Sequence, residues 1–439
     1  MRFDSARGIE RRDFVKAAVA IGGTSALAAC MDRERGDEST TSTSAGRKSE
    51  SAEFPQGDPS VVPDGQHRWG DYLVRDAHGN TVLPQHQLLL GLSYESDAEP
   101  TAGEREQVAA AFETLDRAFR WGTGTRTGAA INDGLLYTLG YAPRYFERFG
   151  AVPDQLDPPE DVLEAVGEDR GKANEHDALL VLTSDFGSIL LAAEAALFGE
   201  TETVNGVRVD ATLEGVFERV DRRTGVVGKG LPAEKLDNDD VPDEAPLSMG
   251  FKSGFRDSLP PEDRVTLQDG PFAGGTTQAV SRLRIDLDRW YDQSHGDRTA
   301  EMFCPAHDPE DVGETGSKLG GDSGITEDDV DAIDEHADEH GTLGHSQKLA
   351  RVRDDDFETP ILRRSEGVAT DAVDGTEFNF SSIQGTVADF VETRKAMNVD
   401  EYDVDVPAER HGIVDYLETR SRGTYLIPPR DDIALPVHR

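Results

Sequence analysis

The stretch at residues 341–364, GTLGHSQKLARVRDDDFETPILRR, contains the histidine and the arginines around which the rest of the chain can be interpreted. His345 stands among small residues before a basic run, and a short apolar strand then leads to Arg363 and Arg364. A neutral imidazole is a common ligand of haem iron, and a permanently charged guanidinium can stabilise a departing oxygen. Such a pair can face the two sides of a flat cofactor. The alternative is ordinary, since a single histidine before a basic helix is more often a surface or capping residue.

The composition indicates a folded and strongly acidic protein of 439 residues. There are 86 acidic and 45 basic residues, which gives a net charge of −41. In molar salt the Debye length is roughly 3 Å, so exposed carboxylates scarcely repel one another, and this balance predicts a halophilic source. The same charge argues against nucleic acid as a partner, because its phosphates would be repelled.

The first thirty residues predict export by the twin-arginine pathway. Arg11 and Arg12 precede an apolar run at residues 17–29, which is shorter than the about twenty residues that span a bilayer. The run ends in LAAC, which resembles a lipobox with Cys30 as the acylated residue. We therefore expect residues 1–30 to be a signal, and the mature protein to be lipid-anchored on the outer face of the cytoplasmic membrane. Plain export with cleavage nearby is the alternative.

The next segment predicts a tether. Residues 31–65 are rich in Ser, Thr, Glu, Gly and Pro and have no hydrophobic period, so we expect a disordered link between lipid and domain. Ordered structure is expected to begin near His86. Cys304 is the only cysteine besides Cys30, so no intrachain disulfide can form in the mature chain, and its apolar neighbours predict a buried structural thiol.

Hydrophobic periodicity then predicts alternating strands and helices. In the first part of the chain the predicted strands are 87–94, 133–141, 177–185 and, with mixed signals, 208–220, and the predicted helices are 104–121, 143–149 and 186–198. In the second part the predicted strands are 274–285, 361–364 and 377–384, the helices are 286–291 and 388–397, a glycine connector begins at 225, an acidic loop covers 310–339, and 425–430 ends the core. The order strand, helix, strand, strand, helix, strand is that of a ferredoxin-like unit, so we predict an α+β fold.

Five segments carry a resemblance to a known family. They are GLLYTLGYAPRYFERFG at 134–150, HDALLV at 176–181, LSMGFKSG at 247–254, GGT at 274–276 and TGSKLG at 315–320. In this order they resemble the dye-decolorising (DyP-type) peroxidases, a haem family, over residues 86–430. The resemblance implies two ferredoxin-like (βαββαβ) halves, 66–245 and 246–439, in a dimeric α+β barrel-like arrangement with a haem b pocket in the second half.

The resemblance also assigns residues to the site. His345 would be the iron ligand and Arg363 the arginine on the other side of the haem, while Gly250 and Gly254 belong to the cofactor-binding signature. His340, about one helical turn earlier, is a rival ligand, and His336 is a poorer one. An iron-bound His345 should donate its other ring N–H to a carboxylate or carbonyl that the sequence does not identify.

One position departs from the family pattern. Ser253 stands where the family has an aspartate that is assigned to proton transfer from peroxide. A serine hydroxyl cannot act as a base near neutral pH without help. Asp257 takes this role if the loop is shifted; otherwise it is a turn or cap residue, and the activity rests on Arg363 alone or has been lost.

The resemblance therefore implies an exported peroxidase that reduces hydrogen peroxide and oxidises an organic electron donor. Trp290 and Tyr291 are candidate surface aromatics through which electrons would enter. The alternative is a non-catalytic surface lipoprotein that keeps the fold and binds haem, another ligand or nothing, and the Ser253 departure favours it. A homo-oligomer is compatible with either function.

Two other metal sites are weaker predictions. His336, His340 and His345 could bind zinc only with a fourth, acidic partner. The acidic run at 327–335 lacks the central glycine and the spacing of an EF-hand loop, so it is interpreted as a solvated face.

Overall fold

The computed structural model describes residues 63, 65–123, 132–228, 232–233, 236, 241–246, 248–373 and 375–439. The predicted signal, with Arg11, Arg12 and Cys30, lies outside the described residues, as does nearly all of the predicted tether. Among the described residues, no helix combines the length and the apolar character that a membrane crossing requires.

Eight antiparallel strands form a closed barrel. They are β1 (His86–Tyr94), β2 (Leu136–Tyr141), β3 (Ala178–Ser184), β4 (Phe217–Val226), β5 (Thr276–Ile285), β6 (Ile361–Ala369), β7 (Thr376–Gln384) and β8 (Leu417–Ile427). Around the barrel they follow the order β1-β3-β2-β8-β5-β7-β6-β4. The first four strands are thus arranged 4-1-3-2 and the last four 8-5-7-6, which is the ferredoxin-like order twice. The predicted α+β fold of two ferredoxin-like halves is confirmed.

Eleven α-helices lie in the described ranges. They are α1 (Ala102–Ala118), α2 (Pro143–Phe149), α3 (Pro159–Ala165), α4 (Gly187–Leu197), α5 (Leu287–Tyr291), α6 (His295–Met302), α7 (Pro309–Val312), α8 (Glu327–Asp331), α9 (Ile333–His340), α10 (His345–Ala350) and α11 (Val387–Lys395). Six of them, α5 to α10, belong to the long connection between β5 and β6. This connection carries the predicted iron ligand.

The strands alternate between two faces, as their sequences require. In β1, Leu88 and Leu90 pack in the main core with residues of α1 and α4. Leu89, between them, belongs to a separate cluster with Val181 and Val280. The first face is covered by helices, and the second fills the barrel interior.

The folded body begins before His86, the predicted start. The Gln66 side chain donates from Nε2 to the carbonyl oxygen of Pro428, at 2.9 Å. Trp69 is buried, and its backbone N–H donates to Oε1 of Glu262 at 2.8 Å. Residues 65–85 are therefore attached to the second half of the chain, which their polar sequence did not indicate.

The acidic segment 310–339 was predicted to be a loop, and this was wrong. It contains α8 and α9, and a capping box of Thr326 with Asp329 begins α8. Ile333 and Ala337 of α9 are buried while the acidic side chains face outward. One apolar residue in α8 and two in α9 were too few to stand out in a highly charged sequence.

β6 and β8 are longer than predicted, and β4, at Phe217–Val226, lies further along the chain than predicted. β4 runs through Gly225, which was expected in a connector. Its charges are neutralised by a buried glutamate of α4, since Glu194 accepts from Arg219 and from Arg222, each at 2.9 Å. Because the glutamate that pairs with these arginines lies in α4, the charged sequence of β4 does not by itself clearly indicate a strand.

Arg363 and Arg364 lie at an irregularity of β6, where the register with β7 shifts between Arg363 and Ser365. Arg364 is buried and pairs with Glu262. It also donates to the backbone carbonyl of His67 at 3.0 Å and lies over the ring of Trp69, 5.5 Å from its centroid. Arg364 therefore fastens the 65–85 segment to the barrel.

We predict that Arg364→Ala lowers the free energy of unfolding by about 3 kcal/mol, because Glu262 loses its buried partner. Arg256→Ala is the matched control, since this exposed arginine pairs with Asp257 at the surface and its loss should change little. Urea unfolding at constant molar salt measures both variants. Equal losses would contradict the anchoring role of Arg364.

Candidate functional site

A cavity of about 490 Å³, within the size range of ligand pockets, is lined mainly by residues of the second half of the chain. The first half contributes Gly167, Glu168, Asp169 and Lys172. Residues of β5 to β8, α10, α11 and the loop at 248–258 line the cavity. Its walls are largely apolar, with six phenylalanines: Phe251, Phe255, Phe303, Phe378, Phe380 and Phe390. Such walls suit a large ligand with extended apolar faces.

His345 is the first residue of α10 and lines this cavity. Its position is fixed by close packing, because a Cβ on Gly344 would overlap the carbonyl oxygen of Phe303. Ser346 donates from its hydroxyl to the carbonyl of Met302 at 2.9 Å, which holds the same turn from the other side.

The surroundings of His345 favour the neutral form of its imidazole. Burial lowers its pKa well below the ordinary value, and the positive charges of Lys348 and Arg363 lower it further. A neutral ring can bind a metal ion without first losing a proton. Nδ1 is buried and has no hydrogen-bond partner among the described residues, so the carboxylate or carbonyl partner expected of an iron ligand is not found there.

Lys348, predicted in a basic amphipathic run, is fully buried instead. Its ammonium donates to the backbone carbonyl of Met397 at 2.8 Å and to that of His411. Burial lowers the pKa of Lys348 to about 7. The residue anchors α10 one turn after His345, and no local sequence signal distinguishes it from a surface lysine.

Arg363 and Ser253 line the same cavity as His345. The structure thus brings together the three residues on which the predicted chemistry depends. Asp257 is not brought there: it is half-exposed and accepts two hydrogen bonds from Arg256, at 2.8 and 3.0 Å. These bonds lower the pKa of Asp257. The shifted loop that would have made Asp257 the acid–base residue is not formed.

Gly250 and Gly254 shape the loop that carries Ser253. Both have positive φ, +79° and +72°, a conformation that favours glycine. A Cβ on Gly250 would also collide with the hydroxyl of Tyr291. Between the glycines, Lys252 forms an ion pair with Asp76 at 3.0 Å, which ties the loop to the first half of the chain.

The rival histidines lie elsewhere. His340 is exposed at the end of α9. Within the described ranges, the side chains close enough to share an ion are Cys304, Asp329 and His336, so the predicted cluster of His336, His340 and His345 is not formed. Cys304 is buried as predicted, and burial raises its thiol pKa to about 11.

Trp290 and Tyr291 are not surface aromatics, and this prediction was wrong. Trp290 is fully buried, and its indole N–H donates to the carbonyl of Met249 at 2.9 Å. Tyr291 is buried as well, and desolvation raises its pKa. Both belong to the core beneath the 248–258 loop, because an amphipathic helix as short as α5 must bury its aromatic side.

Sequence reasoning missed the charged groups of the cavity wall. Glu168 pairs with Arg422 at 2.7 Å and with Arg394 at 3.1 Å. Although burial opposes ionisation, these pairs lower the pKa of Glu168. Arg353 also lines the cavity, and its Nε is buried with no hydrogen-bond partner in the described ranges.

The fold of this chain also occurs in proteins of known structure. Solved dye-decolorising proteins have the same fold: that of Vibrio cholerae is 14% identical and matches over 83% of this chain and 98% of its own, with a TM-score of 0.50. The dye-decolorising peroxidase of Bacteroides thetaiotaomicron is 13% identical and matches over 83% of this chain and 98% of its own, with a TM-score of 0.51. The putative DyP-type peroxidase of Shewanella oneidensis is 13% identical and matches over 82% of this chain and 97% of its own, with a TM-score of 0.50. At such identities the likeness concerns the fold.

The chain also matches the model of a sequence family. The chain belongs to DUF7405, described as a family of unknown function, whose model matches residues 84–429. The comparison with curated proteins found no match.

Proposed function

We propose that this chain is an exported haem-dependent peroxidase of the dye-decolorising type, which reduces hydrogen peroxide and oxidises an organic donor. The observation that carries the proposal is that a neutral imidazole, His345, and a guanidinium, Arg363, line one large apolar cavity in this fold. The resemblance in sequence assigns the same two residues to haem.

The cavity residues fit haem b. A porphyrin is flat, apolar over most of its surface and carries two carboxylates, and the phenylalanine walls match its faces. His345 would bind the iron, and Nε of Arg353, which is buried with no hydrogen-bond partner in the part of the chain that the structure describes, is suited to a carboxylate. When bound, haem supplies a redox-active iron.

The protein residues would act on peroxide as follows. Arg363 stabilises negative charge that develops on a peroxide oxygen, an effect that is strong in a cavity walled by apolar groups. Ser253 can donate or accept a hydrogen bond and so orient peroxide, but it cannot take up a proton as a carboxylate does. Proton transfer is therefore the slow step that we expect in this protein.

We predict that His345→Ala abolishes the Soret band of protein reconstituted with haem in high salt, because the iron loses its ligand. The matched control is His340→Ala, which removes an exposed histidine and should leave the band unchanged. A titration with haem followed by absorption measures both. An unchanged band in His345→Ala would refute the ligand assignment.

We predict that Arg363→Ala lowers peroxide-dependent oxidation of a dye roughly 10²- to 10³-fold, the usual effect of removing one charge-stabilising donor. Ser253→Asp should raise turnover, because it supplies the missing carboxylate. Haem content, from the Soret band, must be equal in the variants that are compared. Arg363→Ala with parental turnover would contradict the proposed role.

A second function is supported by two observations. The cavity has serine at position 253, and Asp257 faces solvent. Among the described residues, Nδ1 of His345 also lacks the hydrogen-bonded partner that makes a ligand imidazole a stronger donor. These features favour a non-catalytic haem-binding lipoprotein. A Soret band without dye turnover, in the parent and in Ser253→Asp, would identify it.

The localisation is part of the proposal. Residues 1–30 would direct export, and Cys30 would be acylated, which leaves the protein on the outer face of the cytoplasmic membrane. We predict that replacing Arg11 and Arg12 with lysine retains the protein in the cytoplasm, while Cys30→Ser releases it from the membrane fraction. Fractionation and immunoblotting measure both. Membrane-bound Cys30→Ser protein would exclude a lipid anchor at that residue.

A further inference from the structure

We propose that Cys304, His307, Asp329 and His336 form a binding site for one divalent transition-metal ion, with zinc favoured by the donor set. The ligand atoms of Cys304, Asp329 and His336 lie within 4.8 Å of one another. The site lies in the long connection between β5 and β6, and none of the four residues lines the large cavity. The proposal does not depend on haem binding or on peroxidase activity.

The spacing of two donor atoms matches a shared ion. Sγ of Cys304 and Nδ1 of His336 are 3.5 Å apart. Zinc–sulfur bonds of about 2.3 Å and zinc–nitrogen bonds of about 2.0 Å, at a tetrahedral angle, place the two donors roughly 3.5 Å apart. The two side chains therefore already lie at the separation that a common metal ion requires.

His307 is the proposed fourth donor; it is not in the group whose ligand atoms lie within 4.8 Å of one another, so its ring must approach the other three when the ion binds. Its Nε2 lies 3.2 Å from the carbonyl oxygen of Gly324, and a carbonyl can only accept, so the ring proton is on Nε2. Nδ1 then carries a lone pair, and it is buried with no hydrogen-bond partner in the described ranges. Metal-binding histidines typically donate their other ring N–H to such a carbonyl.

The local sequence supports the same assignment. Cys304 and His307 are separated by two residues, Pro305 and Ala306, a common spacing for paired zinc ligands. The backbone N–H of His307 donates to the carbonyl oxygen of Cys304 at 3.0 Å, which closes the turn between the two residues. Cysteine binds a metal as the thiolate, so the ion would displace the thiol proton.

The carboxylate of Asp329 is held in place by its own partner. Thr326 donates to one carboxylate oxygen from its backbone N–H, at 2.8 Å, and from its hydroxyl, at 2.7 Å. The other oxygen can then serve the ion, as ligating carboxylates are usually oriented by outer hydrogen bonds. The capping box that begins α8 therefore also orients a metal ligand.

One existing interaction must be replaced. Nε2 of Gln347 donates to Nδ1 of His336 at 3.0 Å, so an ion at this nitrogen displaces that hydrogen bond. Gln347 keeps a second hydrogen bond when this one is lost, because its backbone N–H donates to the carbonyl of Phe303 at 3.0 Å. A set of one thiolate, two imidazoles and one carboxylate favours zinc over calcium or magnesium, which select oxygen ligands.

The ion would act as a structural clamp. It would join the turn at residues 304–307 to α8 and α9, which are otherwise held by few apolar residues. The adjacent Phe303 contacts the turn that begins α10, so the clamp would stabilise the segment that carries His345. A metal ion is an economical way to fix a helical segment whose charged sequence cannot build a large core.

The test uses the mature protein, stripped with a chelator in high salt and titrated with Zn²⁺ or Co²⁺ alone. We expect one equivalent of zinc, a rise in melting temperature on binding, and a cobalt adduct with a thiolate charge-transfer band and intense tetrahedral d–d bands. Cys304→Ser should lose the charge-transfer band and the rise in melting temperature. His307→Asn should weaken binding at least about tenfold. His340→Ala, a histidine on the same helix as His336, should behave as the parent.

Near-UV circular dichroism identifies any variant that fails to fold, and His307→Asn, which keeps a hydrogen-bonding side chain, provides the second variant for that case. The proposal is overturned if the stripped parent takes up no zinc equivalent, or if Cys304→Ser gives the parental cobalt spectrum. Equal affinity in His307→Asn and the parent would remove His307 from the ligand set and leave an incomplete site.

Discussion

The structure depends on the hydrogen bonding that joins its two half-sheets into one barrel. Each half is extensively paired within itself, but the seams are short: Leu426 of β8 pairs with Tyr141 of β2, and Val368 and Ala369 of β6 pair with β4. Unpaired strand edges invite aggregation, so both seams must stay closed. Side chains reinforce the first seam, where the Tyr141 hydroxyl donates to the carbonyl of Ile433 at 2.7 Å.

Closure also explains the location of the cavity. The helices of the first half cover its sheet tightly, and their apolar residues form a continuous core with β1. In the second half the long connection between β5 and β6 replaces the single crossover helix of the ferredoxin-like unit. Several short helices cover the sheet less completely than one long helix, and the space that remains is the cavity lined by His345 and Arg363.

Much of the fold could be predicted from the sequence. Local patterns were sufficient where an element decides its own boundaries, as in α2, which begins at Pro143, and α1, where Thr101 and Glu104 form a capping box. Local patterns were insufficient where the residues that contact each other are far apart in the sequence. The carbonyls that accept from Lys348 lie 49 and 63 residues away along the chain. The sequence near Lys348 therefore contains the buried charge but not the carbonyl groups that compensate for it.

The candidate site shows the same division. The two arginines lie at the register shift of β6 and have different surroundings, since Arg363 lines the cavity and Arg364 is buried against Glu262. Sequence reasoning identified Arg363 through resemblance. Asp257 could not be excluded in the same way, because its orientation is set by Arg256 beside it and by Gly321, whose carbonyl accepts the Asp257 backbone N–H at 2.9 Å. Loop conformation decides such positions, and loops have no periodicity to interpret.

The attachment of Gln66 to Pro428 affects how the protein can be made. The two residues are 362 positions apart, so the beginning of the folded body can be completed only after nearly the whole polypeptide has left the ribosome. Domains usually fold in the order in which they are synthesised, but here the first segment waits for the last. Maturation is thus post-translational in its final step, and a truncated product lacking the last strand would expose an unfinished N-terminal flank.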